Sequence, residues 1–179
     1  MNNRSFSLKP FPSAYLLPHQ KITGNIRRCS KTLTISYVFL GPLREVMIPA
    51  PADIPARKNA LWEETCFEFF LGLKNSEQYW EFNLSPAGHW NVYRFKSYRQ
   101  GMQEEAAFTL LPFSVERQPD ALRLSLELDL GKIILTDQKL KVAISAVIKS
   151  LNGELTYWAL THKGPEADFH RRDSFILEL

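Results

Sequence analysis

Hydrophobic and polar residues alternate with a period of two along much of the chain. The clearest case is the segment 122–130, in which five leucines alternate with polar residues. Because a β-strand directs successive side chains to opposite faces, this alternation predicts a strand with one buried face. The segment 31–40 (KTLTISYVFL) has the same pattern, and the segment 22–28 before it is a plausible partner across a turn at Cys29-Ser30.

Further short apolar segments are separated by turn-forming residues. Asn152-Gly153 predicts a tight hairpin, whereas the three prolines within 49–61 indicate an irregular connection and 98–107 a loop or short helix. The remaining predicted strands lie in the segments 62–95, 113–117, 141–150, 154–160 and 174–179. Roughly nine strands at regular spacing, with a few short helical turns, predict an all-β antiparallel β-sandwich.

Length and composition limit the class of protein. A chain of 179 residues predicts a single domain spanning residues 1–179. The net charge of +3 comes from scattered basic residues, which argues against a nucleic-acid partner. No stretch of about 20 apolar residues predicts a membrane span, and the proline-broken N-terminus does not resemble a secretory signal. We therefore expect a cytoplasmic protein in which Cys29 and Cys66 are reduced thiols.

The segment 62–95 carries charged residues inside its apolar strands. An even-numbered loop at KNSE would keep Phe67, Phe69 and Leu71 on one face and bring Glu68 close to Asn83. A second even-numbered loop within SPAGH would place Tyr93 and Phe95 in the core. The opposite, polar face would then form the ligand-binding site, with the predicted residues Trp62, Glu64, Glu68, Glu81, Asn83, Trp90 and Arg94.

This polar face has two interpretations. It is either a solvated surface of Glu–Arg pairs, which contribute little to stability, or a shallow site. In the second case tryptophan rings would stack on a ligand while carboxylates, an amide and a guanidinium make directional hydrogen bonds. A carbohydrate suits that mixture because a sugar has apolar C–H faces and a rim of hydroxyl groups.

Further groups of residues have the side chains that metal binding or catalysis requires. His162, Asp168 and His170 would suit a metal, but a loop held by side-chain hydrogen bonds, with Asp168 capping a turn, is the favoured interpretation. No metal site is predicted.

Glu68 and Glu81 would lie near each other, as glycosidase carboxylates do. A structural pair is the simpler interpretation. Since no catalytic motif is present, the protein is not expected to be an enzyme.

Several runs resemble DOMON-like domains, which are related to the family-9 carbohydrate-binding modules, in their bacterial stand-alone branch. The resemblance spans about residues 30–179 and is carried by WEETCFEFFL (62–71), YWEFNLSP (79–86), YWALTH (157–162) and DFH (168–170). It implies an immunoglobulin-like or jelly-roll β-sandwich that binds a sugar or a haem without catalysis.

The resemblance also implies what a ligand site would contain. Sugar-binding relatives clamp a saccharide end between two tryptophans, and some carry structural calcium. Haem-binding relatives use a methionine and a histidine as axial ligands, for which Met47 or Met102 with His162 are the candidates. No cofactor is predicted, and haem and calcium remain the alternatives.

The predicted function is that of a non-catalytic ligand-binding module whose ligand is a carbohydrate. One alternative is a haem-binding module of the DOMON type. Another is a structural or protein-interaction domain without a small ligand. The sequence leaves the identity of the ligand and the oligomeric state open.

Overall fold

Two antiparallel sheets face each other in the computed structural model, which describes residues 2–16, 19–135 and 138–179. The smaller sheet has the strand order β1-β3-β4-β10-β9. The larger has the order β2-β12-β11-β5-β6-β7-β8, with β13 beside β11. The strands are β1 (Asn2–Ser7), β2 (Lys9–Pro10), β3 (Lys21–Cys29), β4 (Thr32–Leu40), β5 (Cys66–Leu73), β6 (Tyr79–Leu84), β7 (Trp90–Phe95), β8 (Gln103–Glu104), β9 (Phe113–Gln118), β10 (Ala121–Asp129), β11 (Leu140–Lys149), β12 (Leu155–Ala159) and β13 (Leu177–Glu178).

Helical structure in the described residues is limited to short 3-10 turns, at Leu43–Glu45, Leu61–Glu63, Leu130–Lys132 and Arg172–Ser174. The predicted all-β antiparallel β-sandwich is therefore confirmed. No helix in the described parts of the chain is long and apolar enough to cross a membrane.

Period-two alternation identified the core strands correctly. The alternating leucines of β10 are buried and its polar residues are exposed. β10 pairs with β4 so that Leu128 lies opposite Leu33 and Leu126 opposite Ile35. These side chains pack between the sheets against the inner face of β5 and β6, where the Phe69 and Phe82 rings stack with centroids 4.4 Å apart.

β1 and β2 were not predicted from the sequence. β1 pairs with β3 and buries Phe6, while β2 pairs with β12. Both are edge strands at the ends of their sheets. They are short and mostly polar, so neither has enough alternation to be recognised.

The outer face of the large sheet is covered rather than solvated. β5 is buried on both faces from Cys66 to Gly72. The chain after β12 contributes Phe169 and Phe175 to a second apolar cluster on this outer face, together with Trp62, Phe70, Tyr79, Tyr93, Phe95 and Ala143. This outer face is where the polar residues of β5 and β6 point.

The register of β5 with β6 agrees with the prediction, since Glu68 lies opposite Asn83. The predicted register of β6 with β7 is wrong. The connecting loop, residues 85–89, has five residues and is closed by a hydrogen bond from the Ser85 N–H to the His89 carbonyl oxygen (2.9 Å). Leu84 therefore lies opposite Trp90, and the shift by one residue turns every β7 side chain to the other face.

Trp90 and Arg94 accordingly do not belong to the polar face. Trp90 is buried in the core between the sheets, with the Arg57 guanidinium 4.4 Å from its ring centroid. Arg94 is exposed and donates a hydrogen bond to Gln103 (3.1 Å). Tyr93 and Phe95, which were expected in that core, lie on the outer face instead.

Candidate functional site

A cavity of about 610 Å³ opens on the outer face of the large sheet. Its base is formed by strands β5, β6 and β11. Its walls come from the Leu61–Glu63 turn, the segment after β7, strand β12 and the chain after β12. The lining residues are Trp62, Glu63, Glu68, Glu81, Phe95, Arg99, Met102, Val147, Leu155, Tyr157, Ala167, Phe169 and His170.

The walls of the cavity are aromatic. Trp62 packs edge-on against Tyr93 with ring centroids 5.8 Å apart. Tyr157 and Phe169, which also line the cavity, pack edge-on with their ring centroids 6.1 Å apart. Trp62, Tyr157 and Phe169 are all only partly buried, so each retains surface that a bound molecule can contact.

Two buried carboxyl groups lie at the base. Glu68 and Glu81 are 2% and 4% exposed. Glu68 Oε2 accepts a hydrogen bond from the Ser145 hydroxyl (3.4 Å), whereas Glu68 Oε1 has no hydrogen-bond partner. Glu81 Oε1 accepts from the Asn83 amide nitrogen (2.8 Å), and Glu81 Oε2 lies 3.7 Å from His170 Nε2.

Burial makes both carboxyl groups hard to ionise. It raises the pKa of Glu81 to about 7, against the opposing effects of the Asn83 hydrogen bond and the Arg99 charge. Burial also raises the pKa of Glu68 well above its ordinary value, and the charge of Glu81 raises it further. Removing a carboxylate from water disfavours its charged form, so near neutral pH these two groups hold protons that exposed carboxylates would have lost.

The imidazole of His170 is held in its neutral form. Burial lowers the pKa of His170 to about 4, and repulsion by Arg99 acts in the same direction. Its Nδ1 lies 2.9 Å from the Tyr79 hydroxyl, which also accepts a hydrogen bond from the Arg99 N–H (3.1 Å). His170 therefore contributes a polar ring and no charge to the cavity at neutral pH.

Asp168 fixes the wall that carries His170. It accepts hydrogen bonds from the Tyr98 hydroxyl (2.5 Å), from Arg99 Nη2 (2.9 Å) and from the His170 N–H (3.1 Å). The last contact spans two residues and is a local turn of the kind that aspartate favours. The favoured interpretation of this loop, one locked by side-chain hydrogen bonds around Asp168, agrees with these contacts.

His162 is separated from this hydrogen-bonded group. Its Nε2 pairs with the Lys9 carbonyl oxygen (2.9 Å), and its ring packs edge-on against Phe11. Within the described ranges, no group of three or more His, Cys, Asp or Glu side chains is arranged to hold a metal ion. Of Met47, Met102 and His162, which were the candidates for haem ligation, only Met102 lines the cavity.

The structure brings together three of the seven predicted ligand-binding residues. Trp62, Glu68 and Glu81 line the cavity, and Asn83 lies buried behind Glu81. Glu64 is not among the lining residues and pairs with Lys149 at 2.7 Å.

Sequence reasoning missed the walls. It did not place Tyr157, Phe169 or Arg99 in the site, it named Met102 only as a candidate haem ligand, and it considered His170 only for a metal or for a loop held by hydrogen bonds. The run DFH at 168–170 contributed to the resemblance to DOMON-like domains. The alternation of apolar and polar residues, however, does not predict the path of a loop that contains no strand. The path of that loop decides which residues face Glu68 and Glu81.

Comparison with known proteins identifies the fold. Neither a protein-family model nor a curated protein sequence matches the chain. A candidate carbohydrate-binding protein from Bacteroides uniformis ATCC 8492 superimposes with a TM-score of 0.66 at 10% identity, covering 96% of this chain and 83% of that one. Two structures of a family-9 carbohydrate-binding module from Caldicellulosiruptor kristjanssonii, in complex with glucose and with cellotriose, superimpose with TM-scores of 0.51 at 11% identity.

The module from Caldicellulosiruptor kristjanssonii is matched over 82% of this chain and over 69% and 68% of the two module chains. This protein has the fold of family-9 carbohydrate-binding modules. Likeness at such low identity concerns the fold alone, and the resemblance to DOMON-like domains remains a prediction.

Proposed function

We propose that this protein is a non-catalytic module that binds a saccharide in the cavity on the outer face of the large sheet. The observation that carries the proposal is the pairing, within one cavity, of partly exposed aromatic rings with two carboxyl groups at its base. Rings suit the apolar C–H faces of a sugar, and carboxyl groups suit its hydroxyls.

The dimensions of the cavity support a small ligand. Ligand sites commonly have volumes of about 300–1,000 Å³, and this one has about 610 Å³. Glu68 Oε1 is a buried acceptor to which no group of the described structure bonds, and Glu68 lines the cavity. The solved structures of similar fold bear names that refer to carbohydrate binding, two of them with bound glucose or cellotriose, which adds support for a saccharide.

The electrostatics of the carboxyl pair favour binding over hydrolysis. A glycosidase needs one carboxyl group that is protonated and one that is ionised. In this cavity burial raises the pKa of both Glu68 and Glu81. Neither is held ionised by a nearby hydrogen-bonded cation, since Arg99 pairs with Asp168.

Calorimetric titration with glucose and cellotriose tests the proposal. We expect saturable binding that is weakened about tenfold or more by Trp62→Ala, because the truncation removes a stacking surface. Tyr15→Ala is the matched control, since Tyr15 is an exposed aromatic residue outside the cavity lining, and it should bind like the original protein.

If a glycan array and millimolar titrations show no saccharide binding, the proposal is wrong. A structural or protein-interaction role would then account for the covered sheet face, and the size of the particle in solution would show whether copies of the chain associate. A coloured protein after incubation with haem, with a Soret band, would instead favour the haem alternative.

A further inference from the structure

The cavity is lined by more carboxyl groups than cationic side chains. Its lining includes three carboxyl groups, those of Glu63, Glu68 and Glu81. Among the described lining residues, Arg99 is the one side chain with a permanent positive charge, and its guanidinium is bound to Asp168 at 2.9 Å. The lining therefore lacks a cation that would balance Glu68 and Glu81.

Glu68 is the lining carboxyl group for which the lack of a neighbouring cation matters most. Its side chain is 2% exposed and lines the cavity, and its Oε1 atom has no hydrogen-bond partner. A buried polar atom without a partner destabilises the folded state, and more so if it is charged. Native proteins rarely keep such an atom in a site unless something else satisfies it.

We infer that the site selects a saccharide bearing a primary amine, whose ammonium group lies between Glu68 and Glu81 against the aromatic wall. This inference rests on the proposed saccharide-binding function and specifies its class of ligand. An ammonium group offers three donors, enough for the unpartnered Glu68 Oε1 and for Glu81. The rings of Trp62, Tyr157 and Phe169 line the same cavity, and aromatic faces attract cations.

Binding of such a ligand is coupled to a proton. Below pH of about 7 both carboxyl groups hold protons in the empty cavity because they are buried. An entering ammonium favours their ionised form, so a carboxyl proton leaves to solvent as the cation binds. Affinity for the amine therefore rises as pH increases from about 5 toward about 6.5, a range in which a sugar amine keeps its proton.

The groups that face the pair determine how strong this coupling is. Glu68 is approached by Ser145 from β11, Cys66 from its own strand and Tyr37 from the small sheet. The groups around Glu81 are Tyr79 and Asn83 on its own strand, Tyr93 on β7, and Arg99 and His170 from the walls. Arg99 is the cation in this set, and it contacts Asp168 instead of either carboxylate.

Calorimetry with glucosamine, N-acetylglucosamine and glucose tests the inference. These probes share one ring and differ in whether position 2 bears an ammonium, a neutral amide or a hydroxyl. At pH of about 6.5, where the amine is protonated, we expect glucosamine to bind about tenfold or more tightly than the other two, because its hydrogen bonds are made between charged groups. Measured in two buffers of different ionisation enthalpy, its binding should release a proton, whereas glucose should release none.

Substitution of Glu68 tests whether its carboxyl group causes the preference for glucosamine. Glu68→Gln keeps the size of the side chain and removes its ability to ionise, so glucosamine and glucose should then bind with equal affinity. Glu116→Gln makes the same change at an exposed position on β9 of the small sheet and should keep the preference. If Glu68→Gln does not fold, the proton release of the original protein still decides the question.

Three results would overturn the inference. Equal affinity for glucosamine and glucose would contradict the preference for an amine but would still agree with the proposed saccharide binding. The absence of binding by all three sugars would remove the proposed function as well. Displacement of glucosamine by equimolar calcium chloride would assign the carboxyl groups to a metal ion instead of an amine.

Discussion

Glu68 and Glu81 are the residues whose surroundings decide most about this molecule. Each is acidic and each belongs to a strand of the large sheet. Each is almost fully buried. Burying a carboxyl group lowers stability unless other groups compensate. The pair is therefore a cost to the fold, which fits a role in binding better than a role in stability.

Glu81→Gln should stabilise the protein at high pH. Glu81 has a folded-state pKa of about 7 against an ordinary 4.5, so the folded state holds a proton that the unfolded state releases between these values. The contribution of Glu81 thus favours folding below pH 4.5 and is lost as pH rises to about 7. We expect the variant to gain on the order of 3 kcal/mol relative to the original protein across this window.

Urea unfolding at pH 4.5, 6 and 8 measures that difference. His170 changes stability in the opposite direction, because its lowered pKa favours the folded state as pH rises from about 4 to 6.5. Comparing variant with original protein at each pH cancels this second contribution. The difference for Glu116→Gln should stay flat, and a flat difference for Glu81→Gln would contradict the assignment.

At the scale of elements, the loop between β6 and β7 determines which face of β7 is functional. Residues 85–89 number five, so Leu84 lies opposite Trp90 and the face with Asn91 and Tyr93 adjoins Glu81. Turn composition predicts that a loop is present but does not determine its length. An even-numbered loop fits the sequence SPAGH equally well, and a change of one residue exchanges the two faces.

Arg57 holds the irregular segment 49–61 against β7. Its guanidinium lies over the Trp90 ring, its Nη1 donates to Asn91 Oδ1 (2.8 Å), and its Nη2 donates to the carbonyl oxygens of Glu105 (3.0 Å) and Phe108. A lysine has no planar fork and cannot make this set of contacts. Arg57→Lys should lower the free energy of unfolding by about 1–3 kcal/mol.

Urea unfolding of the variant checks this expectation. Arg44→Lys is the matched control because the Arg44 side chain is 80% exposed, and its contact with Glu45 is long at 3.9 Å. It should change stability by less than about 0.5 kcal/mol. Equal effects of the two substitutions would show that Arg57 does not fix the segment.

At the scale of the whole molecule, the described residues form two apolar clusters with separate roles. One fills the space between the sheets and includes the stacked pair Phe69 and Phe82. The other lies on the outer face of the large sheet, where Phe70, Phe175 and the partly buried Phe169 pack beside the cavity. The first holds the sandwich together, and the second shapes the proposed site.

Substitutions in the two clusters should therefore have different effects. Phe82→Leu should lower the free energy of unfolding by about 1–3 kcal/mol, since it disturbs a close-packed core. It should leave saccharide affinity within about twofold, as Phe82 faces away from the cavity. Phe169→Ala should have the reverse profile, with weaker saccharide binding and a smaller loss of stability.

Urea unfolding and calorimetry on the same samples measure both quantities. Phe82→Leu is the control for Phe169→Ala, because each removes an aromatic ring, one from each cluster. Loss of affinity in both variants, scaled to their loss of stability, would contradict the separation of the two clusters.

The amino-acid sequence by itself determined the core strands and the buried face of a strand such as β10, because alternation is a local property that one strand displays alone. The pairing of Glu68 with Asn83 also required the even-numbered turn at KNSE. Tertiary structure alone decided that Trp90 faces the core, since this depends on the exact length of one loop. It also decided that Phe169 and His170 line the same cavity as Glu68 and Glu81, because a loop without regular structure follows whatever path its packing and hydrogen bonds favour.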